Sequence, residues 1–146
     1  VYKRQLDGLG DSKDKFKIVA QQDGGAALDK SMELAEDIIT ATPDLDAFFC
    51  INDPSALGAA AAIKAANKTG KIGVYSIDAS PDGKQAVLDG EFTAVACQVP
   101  VQIAEYSFNE AVKYVNGDTK IDEKKVYLDS HLVLKDEAEK TLKEWQ

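Results

Sequence analysis

Short apolar runs of strand type alternate along this chain with longer stretches of helical period. "FKIVA" (16–20), "AFFCI" (47–51), "IGVYSI" (72–77) and "FTAVAC" (92–97) are rich in β-formers and almost wholly apolar. Such runs predict parallel strands covered on both faces. Between them, Leu28, Met32, Ala35 and Ile39 mark one helix face, and Leu57, Ala60, Ile63 and Ala66 another, with a shorter helix expected over 81–89. The order βαβαβαβ predicts an α/β fold: a doubly wound, mainly parallel open sheet with helices on both faces and right-handed crossovers.

Local chemistry supports the boundaries. In "NDPSALG", Asp53 is expected to cap the helix while Pro54 takes its first turn, where a missing N–H costs nothing. Ser80 and Pro81 repeat the device in "DASPDG". Gly90 and Gly117 follow "AVLD" and "KYVN", where a helix would end on a left-handed residue.

Composition narrows the function classes. The 146 residues include 45% hydrophobic side chains, enough for a real core in one domain. A formal net charge of −8, from 25 acidic against 17 basic residues, argues against nucleic acid or an anionic membrane as partner, since either needs a basic patch. Two cysteines, Cys50 and Cys97, and one histidine leave little material for a metal cluster or a disulfide scaffold. No apolar run approaches the roughly 20 residues that span a bilayer, so these residues predict no direct membrane insertion.

In open α/β sheets, ligands sit at the carboxyl ends of the strands. Three of the runs above end in polar residues there: Asn52 after "FFCI", Asp78 after "VYSI" and Gln98 after "AVAC". A carboxylate accepts from hydroxyls and each amide both donates and accepts, which suits a neutral, polyhydroxylated ligand such as a sugar. Each residue alone could instead be a cap or turn residue. Three at equivalent positions favour the site, with Asp53 and Ser80 available for capping.

The stretch from "TPDLDA" through "INDPSALGA" and "IDASPDGKQAVLDGEFTA" to "CQVP" resembles the C-terminal lobe of the type I periplasmic sugar-binding proteins, the ribose-binding branch most of all. The resemblance implies that Asn52, Asp78 and Gln98 hydrogen-bond sugar hydroxyls, with Asp23, Ala26 and Asp53 as candidate cleft-lining residues. It implies an incomplete lobe of that fold: residues 6–98 and 126–146 as the sugar-binding lobe, and 99–125 as a crossover whose helix packs on an N-terminal lobe. Ala104, Phe108, Ala111, Val112 and Val115 are that helix's apolar stripe, and "VYLDSHLVL" (126–134) is the returning strand. It further implies capture of a sugar between two hinged lobes and delivery to a membrane ABC permease or a chemoreceptor. No cofactor and no enzymatic activity are implied. The expected location is extracytoplasmic, periplasmic or lipid-anchored at the cell surface, with the signal sequence outside these residues.

Two departures from the family pattern stand out. Family members carry Arg-x-x-Gly before an apolar residue, the Arg bonding the sugar; with Gly8-Leu9 as the end of that pattern, the Arg position holds Gln5. Residues 1–5, Val-Tyr-Lys-Arg-Gln, match one reading frame of GTG TAT AAG AGA CAG, the tail of a transposase end sequence used in DNA sequencing. They are expected to be translated adapter, the natural sequence resuming at Leu6; the alternative is a coincidental pentapeptide with Arg4 as the clamp. The second departure is at Ala26, where some relatives place an aromatic ring against the sugar.

Other readings fail on context. "GDS" at 10–12 does not follow a strand, as an esterase nucleophile does, and His131 lacks the spacing of a catalytic dyad. "DGLGD" has no preceding strand and carries Lys13 where a dinucleotide fingerprint needs Gly. Cys50 and Cys97 are expected as buried thiols, Tyr75 as core or cleft floor, and 135–146 as a solvated amphipathic helix docking through Ala138, Leu142 and Trp145. The runner-up function is the effector domain of a lactose-repressor-like regulator, which shares "ND..ALG"; "SPDGKQAVLDGEFTAVACQVP" is the binding-protein form.

Overall fold

A computed structural model describes residues 7–118 and 126–144. Residues 1–5, on which the adapter and clamp readings fall, and Trp145 lie outside them. After a 3₁₀ turn at Gly10–Lys15, helix α1 (Leu28–Ala41) leads to β1 (Ala47–Phe49), α2 (Asp53–Ala65), β2 (Gly73–Asp78), α3 (Pro81–Leu88) and β3 (Ala94–Cys97). Helix α4 (Pro100–Val115) then departs, and the described chain returns as β4 (Leu132–Val133) and α5 (Lys135–Thr141).

The strands form one sheet in the order β1-β2-β3-β4. β1, β2 and β3 are parallel, in the registers Phe48↔Val74 and Ser76↔Val95, while β4 runs antiparallel to β3 with Val133 opposite Val95. The mainly parallel open α/β sheet is therefore present. Two expectations need correction. Residues 16–20 form no strand: no ladder joins them to β1, and Phe16, Ile18 and Val19 are exposed. β1 offers an edge only three residues long, and the preceding 3₁₀ turn buries no residue that would hold the run against it.

Helix cover, expected on both faces, lies on one among the described residues. α2 and α3 pack on the face that carries Val74, Ser76, Val95 and Cys97, all buried. The opposite face presents Phe49 and Tyr75, 56% and 38% exposed, so Tyr75 is not a core residue here. No described helix turns a buried stripe toward that side: α4 has no buried residue, and α1 spends its apolar face, Ala35 and Ile39, against α2.

Close packing of α1 on α2 follows from one residue. A Cβ at Gly58 would run into the carbonyl oxygen of Leu28 and the backbone nitrogen of Met32. Only hydrogen lets the two backbones approach this closely. The helix starts use side-chain caps. Ser80 Oγ accepts from Gly83 N at 3.1 Å at the head of α3, as expected, but α2 is capped by Asn52, whose Oδ1 accepts from Ser55 N at 3.1 Å. Asp53, the expected cap, is the first residue inside the helix. Gly90 and Gly117 take the left-handed conformation at φ +75° and +97° after α3 and α4.

Lys84 on α3 is wholly buried, and its Nζ donates to the carbonyl oxygens of Thr141, at 2.8 Å, and Glu144, at 2.5 Å. The last carbonyls of a helix lack intrahelical partners and favour a cation. Lys84 thereby ties α5 to α3, and Ala138 is buried in the same contact while Leu142 is half-buried.

Two substitutions test this packing by urea unfolding. Gly58→Val should destabilise the chain by about 1–3 kcal/mol through overpacking between α1 and α2. Lys84→Met keeps the stem but strips the Glu144 carbonyl of its Lys84 bond and leaves the Thr141 carbonyl only the Glu144 N–H, for a loss of about 1–3 kcal/mol. A wild-type midpoint for either would contradict the geometry.

Candidate functional site

Parallel register brings the polar strand ends together. Asp78 is the last residue of β2 and pairs with Cys97, so Gln98 follows at its side, its N–H donating to the Asp78 carbonyl at 3.2 Å. The side chains meet as well: Gln98 Nε2 donates to Asp78 Oδ1 at 2.6 Å. Asp78 Oδ2 accepts from the backbone N–H of Asp53 at 3.4 Å, at the first turn of α2. Asn52, one residue earlier, caps that helix and donates from Nδ2 to the carbonyl of Ala26 at 3.3 Å. Asn52, Asp78 and Gln98 thus form one continuous group at the carboxyl end of the sheet.

Free capacity remains on each member. One N–H of the Gln98 amide and its carbonyl oxygen have no partner among the described contacts, and Gln98 is exposed. Each oxygen of Asp78 has accepted one bond and can accept another, and the Asn52 amide retains one N–H. Together they offer both acceptors and donors to a ligand.

The other candidates take different roles. Asp23 bonds its own loop, Oδ1 accepting from Gly25 N at 2.8 Å, which makes it a turn residue. Ala26 stands in the left-handed region at φ +57° and borders the site through its carbonyl. Asp53 does not line the cleft: it is 1% exposed and its carboxylate points inward. Ser76 Oγ donates to Asp53 Oδ1 at 2.7 Å, and Ser80 donates to Oδ2 from both N, at 2.8 Å, and Oγ, at 2.6 Å. The sequence reading missed Ser76 and Ser80 as partners of this carboxylate. The available signal was a serine inside the apolar run "IGVYSI".

Backbone conformation at the corner is unusual. Asp78 has φ +129° and Ala79 φ +56°, two consecutive non-glycine residues on the positive side. Such residues cost of order 1–3 kcal/mol each and persist only where their surroundings hold them. Burial pushes the Asp78 carboxyl above its ordinary range, and the nearby Asp53 charge adds to this; the Asp53 N–H and the Gln98 amide pull the other way without cancelling it.

The remaining reactive groups lie elsewhere. Cys50, just past β1, and Cys97, at the end of β3, are free and buried on either side of β2, and burial pushes the Cys50 thiol up to about 12. His131 Nε2 pairs with Glu137 at 2.8 Å on the surface. No group of three or more metal-ligating side chains occurs among the described residues, and no described helix is long and apolar enough to cross a membrane.

Residues 2–119 match the periplasmic binding protein domain. The chain belongs to the type I periplasmic binding protein family. The ribose import binding protein RbsB of Escherichia coli K12 is 36% identical over 104 residues, which are 71% of this chain and 35% of that protein. The D-ribose/D-allose-binding protein of Pseudomonas aeruginosa is 32% identical over 123 residues, 84% of this chain and 37% of that one. Among solved structures, a galactofuranose binding protein superposes with a TM-score of 0.86 at 31% identity, covering 97% of this chain and 48% of its own. The Caulobacter myo-inositol binding protein, with myo-inositol bound, gives 0.83 at 27% identity, covering 95% and 47%. This periplasmic binding protein chain therefore spans between about a third and a half of the length of the relatives it matches.

The raised pKa of Asp78 has a stability consequence. With the folded value above the unfolded one, ionisation of Asp78 opposes folding, and its contribution becomes more favourable as pH falls through the folded-state pKa. Asp78→Asn, which cannot ionise, should gain stability over the wild type most at neutral pH. That difference should shrink below about pH 4, the ordinary carboxylate range, in urea titrations at the two pH values. A difference that grows on acidification would reverse the sign.

Proposed function

We propose that this chain supplies the C-terminal lobe of an extracytoplasmic solute-binding protein that captures a sugar between two hinged lobes and hands it to an ABC-type importer or a chemoreceptor. The observation that carries the reading is the joined polar group Asn52, Asp78 and Gln98, which keeps free donors and acceptors at the carboxyl end of a parallel sheet. Relatives named for binding ribose, allose and inositol support a polyhydroxylated ligand, and import proteins among them support transport over the transcription-regulator alternative. No catalytic residue is assigned.

The three residues would hydrogen-bond ring hydroxyls from one side, and the second lobe would supply the other. Closure then stabilises itself, because ligand contacts to both lobes are made only in the closed form. No aromatic ring from this lobe stands at Ala26, so apolar contact with the sugar face falls to the other lobe. In this reading residues 6–98 and 126–146 form the sugar-binding lobe, and 99–125 carry the crossover.

Helix α4 supports that division. Its stripe of Ala104, Phe108, Ala111, Val112 and Val115 is uncovered, with Phe108 and Val115 69% and 82% exposed. Another flank of α4 borders a cavity of ≈ 240 Å³ lined by Ile103, Tyr106, Ser107, Val126 and Leu128. Apolar surface of this extent marks a contact site. The 146-residue chain should accordingly bind an apolar dye or self-associate, and Phe108→Lys with Val115→Lys should suppress both without lowering the melting temperature. A clean, dye-free monomer before substitution would count against the assignment.

Calorimetry tests the ligand. The longer gene product that carries this lobe should release binding heat with one or more members of a panel of pentoses, hexoses and inositols. Asp78→Ala or Gln98→Ala should weaken that binding about 10- to 100-fold, since hydrogen bonds to a charged or buried group contribute roughly 1.5–3 kcal/mol. The 146-residue chain alone should bind weakly or not at all. Tight binding by the isolated chain would sink the two-lobe mechanism, and silence from the longer product across the panel would sink the sugar reading.

A further inference from the structure

We propose that Asp53 is a positioning residue: it touches no ligand, but its buried carboxylate and its backbone N–H clamp the Asp78–Ala79 corner from both sides and so deliver Asp78 to Gln98.

The clamp is read from the bonds. The Asp53 N–H reaches Asp78 Oδ2, at the first residue of the corner, while the Asp53 carboxylate takes the N–H and hydroxyl of Ser80, immediately after it. Those two points bracket the positive-φ pair: Asp78 carries the first, and Ala79 lies between Asp78 and Ser80. A third donor, Ser76 Oγ, fixes the carboxylate to the body of β2. One side chain therefore spans the end of β2, the corner and the head of α3.

Helix capping does not account for this arrangement. Asn52 caps α2 and Ser80 caps α3, so neither helix needs Asp53 as its cap. The carboxylate is nonetheless buried, which is costly unless every oxygen is bonded, and no cation pairs with it among the described residues. Space is reserved for it too: a Cβ at Gly83 would run into the Asp53 carboxylate. Without the clamp, the corner would be free to relax toward negative φ and swing the Asp78 carboxylate off the Gln98 amide.

The proposal rests on the sugar-binding reading only for the purpose of the corner, and the placement of Asp78 can be tested without sugar. In nuclear magnetic resonance spectra of the 146-residue chain, the Gln98 side-chain amide pair and the Asp78 carboxyl carbon report their mutual contact. Asp53→Ala should move the Gln98 pair toward its unstructured position and shift the Asp78 carbon. Asp53→Asn should retain both signals, because its oxygen can accept from Ser80 while its amide donates to Ser76 Oγ, whose hydroxyl can turn to the Ile77 carbonyl 3.3 Å away.

In the longer gene product, Asp53→Ala should weaken sugar binding by more than about tenfold, and Asp53→Asn should restore it. Unmoved Gln98 and Asp78 signals in a folded Asp53→Ala chain with a merely lowered melting temperature would reduce Asp53 to a structural residue and overturn the proposal. Should Asp53→Ala fail to fold, Ser80→Ala and Ser76→Ala each remove one hydroxyl donor, and the same displacement must appear in at least Ser80→Ala; unmoved signals there overturn it equally. Displaced signals in a protein whose wild type binds no sugar would leave the clamp standing and remove only its purpose.

Discussion

Backbone pairing between β2 and β3 runs to the final residue of each strand, with Asp78 opposite Cys97. The contact between Asp78 and Gln98 depends on that register. Side chains alternate along a strand, so a slip of one residue would turn Asp78 to the opposite face and remove Gln98 from reach. The apolar residues of the covered face, Val74, Val95 and Val133, all buried, make such a slip expensive because it would expose the whole set. Hydrophobic packing in the middle of the sheet thereby fixes polar geometry at its end.

The site itself is held in tension between opposing terms. Partial burial favours the neutral form of Asp78, while the first turn of α2 presents an N–H and the positive end of a helix to the charged form. An acceptor that is partly desolvated and already oriented loses little on meeting a ligand. The same economy holds for Asn52, whose amide is fixed by the helix it caps and by the Ala26 carbonyl before any ligand arrives.

Much of this was legible in the residues. Helices α1, α2 and α3 announce themselves by apolar period and, for α2 and α3, by Pro54 and Pro81 at their starts; Asp78 ends β2 and Gln98 follows β3, while Asn52 stands three residues beyond β1 as the cap of α2. The errors have physical causes. In the pair Asn52-Asp53 either residue could cap, and the choice was made by the hydroxyls of Ser76 and Ser80, which are distant in sequence and draw Asp53 inward. Lys84, in a polar stretch, reads as a solvated lysine; its burial depends on carbonyls at the far end of α5 that no local pattern reveals. Residues 16–20 have every strand propensity, yet propensity alone cannot supply a partner edge of adequate length.

The antiparallel strand β4 reaches β3 only after the chain has left for α4 and come back. The sheet is therefore assembled from segments distant in sequence, its fourth strand and the Lys84-bound helix leaving the ribosome after the other three strands and α4. Until they arrive, Val95 and the Lys84 ammonium lack the partners they have in the finished fold. Vectorial synthesis would thus hold the sheet open-edged along β3 while α4 emerges, so that completion of the sheet and burial of Lys84 become a single late folding event.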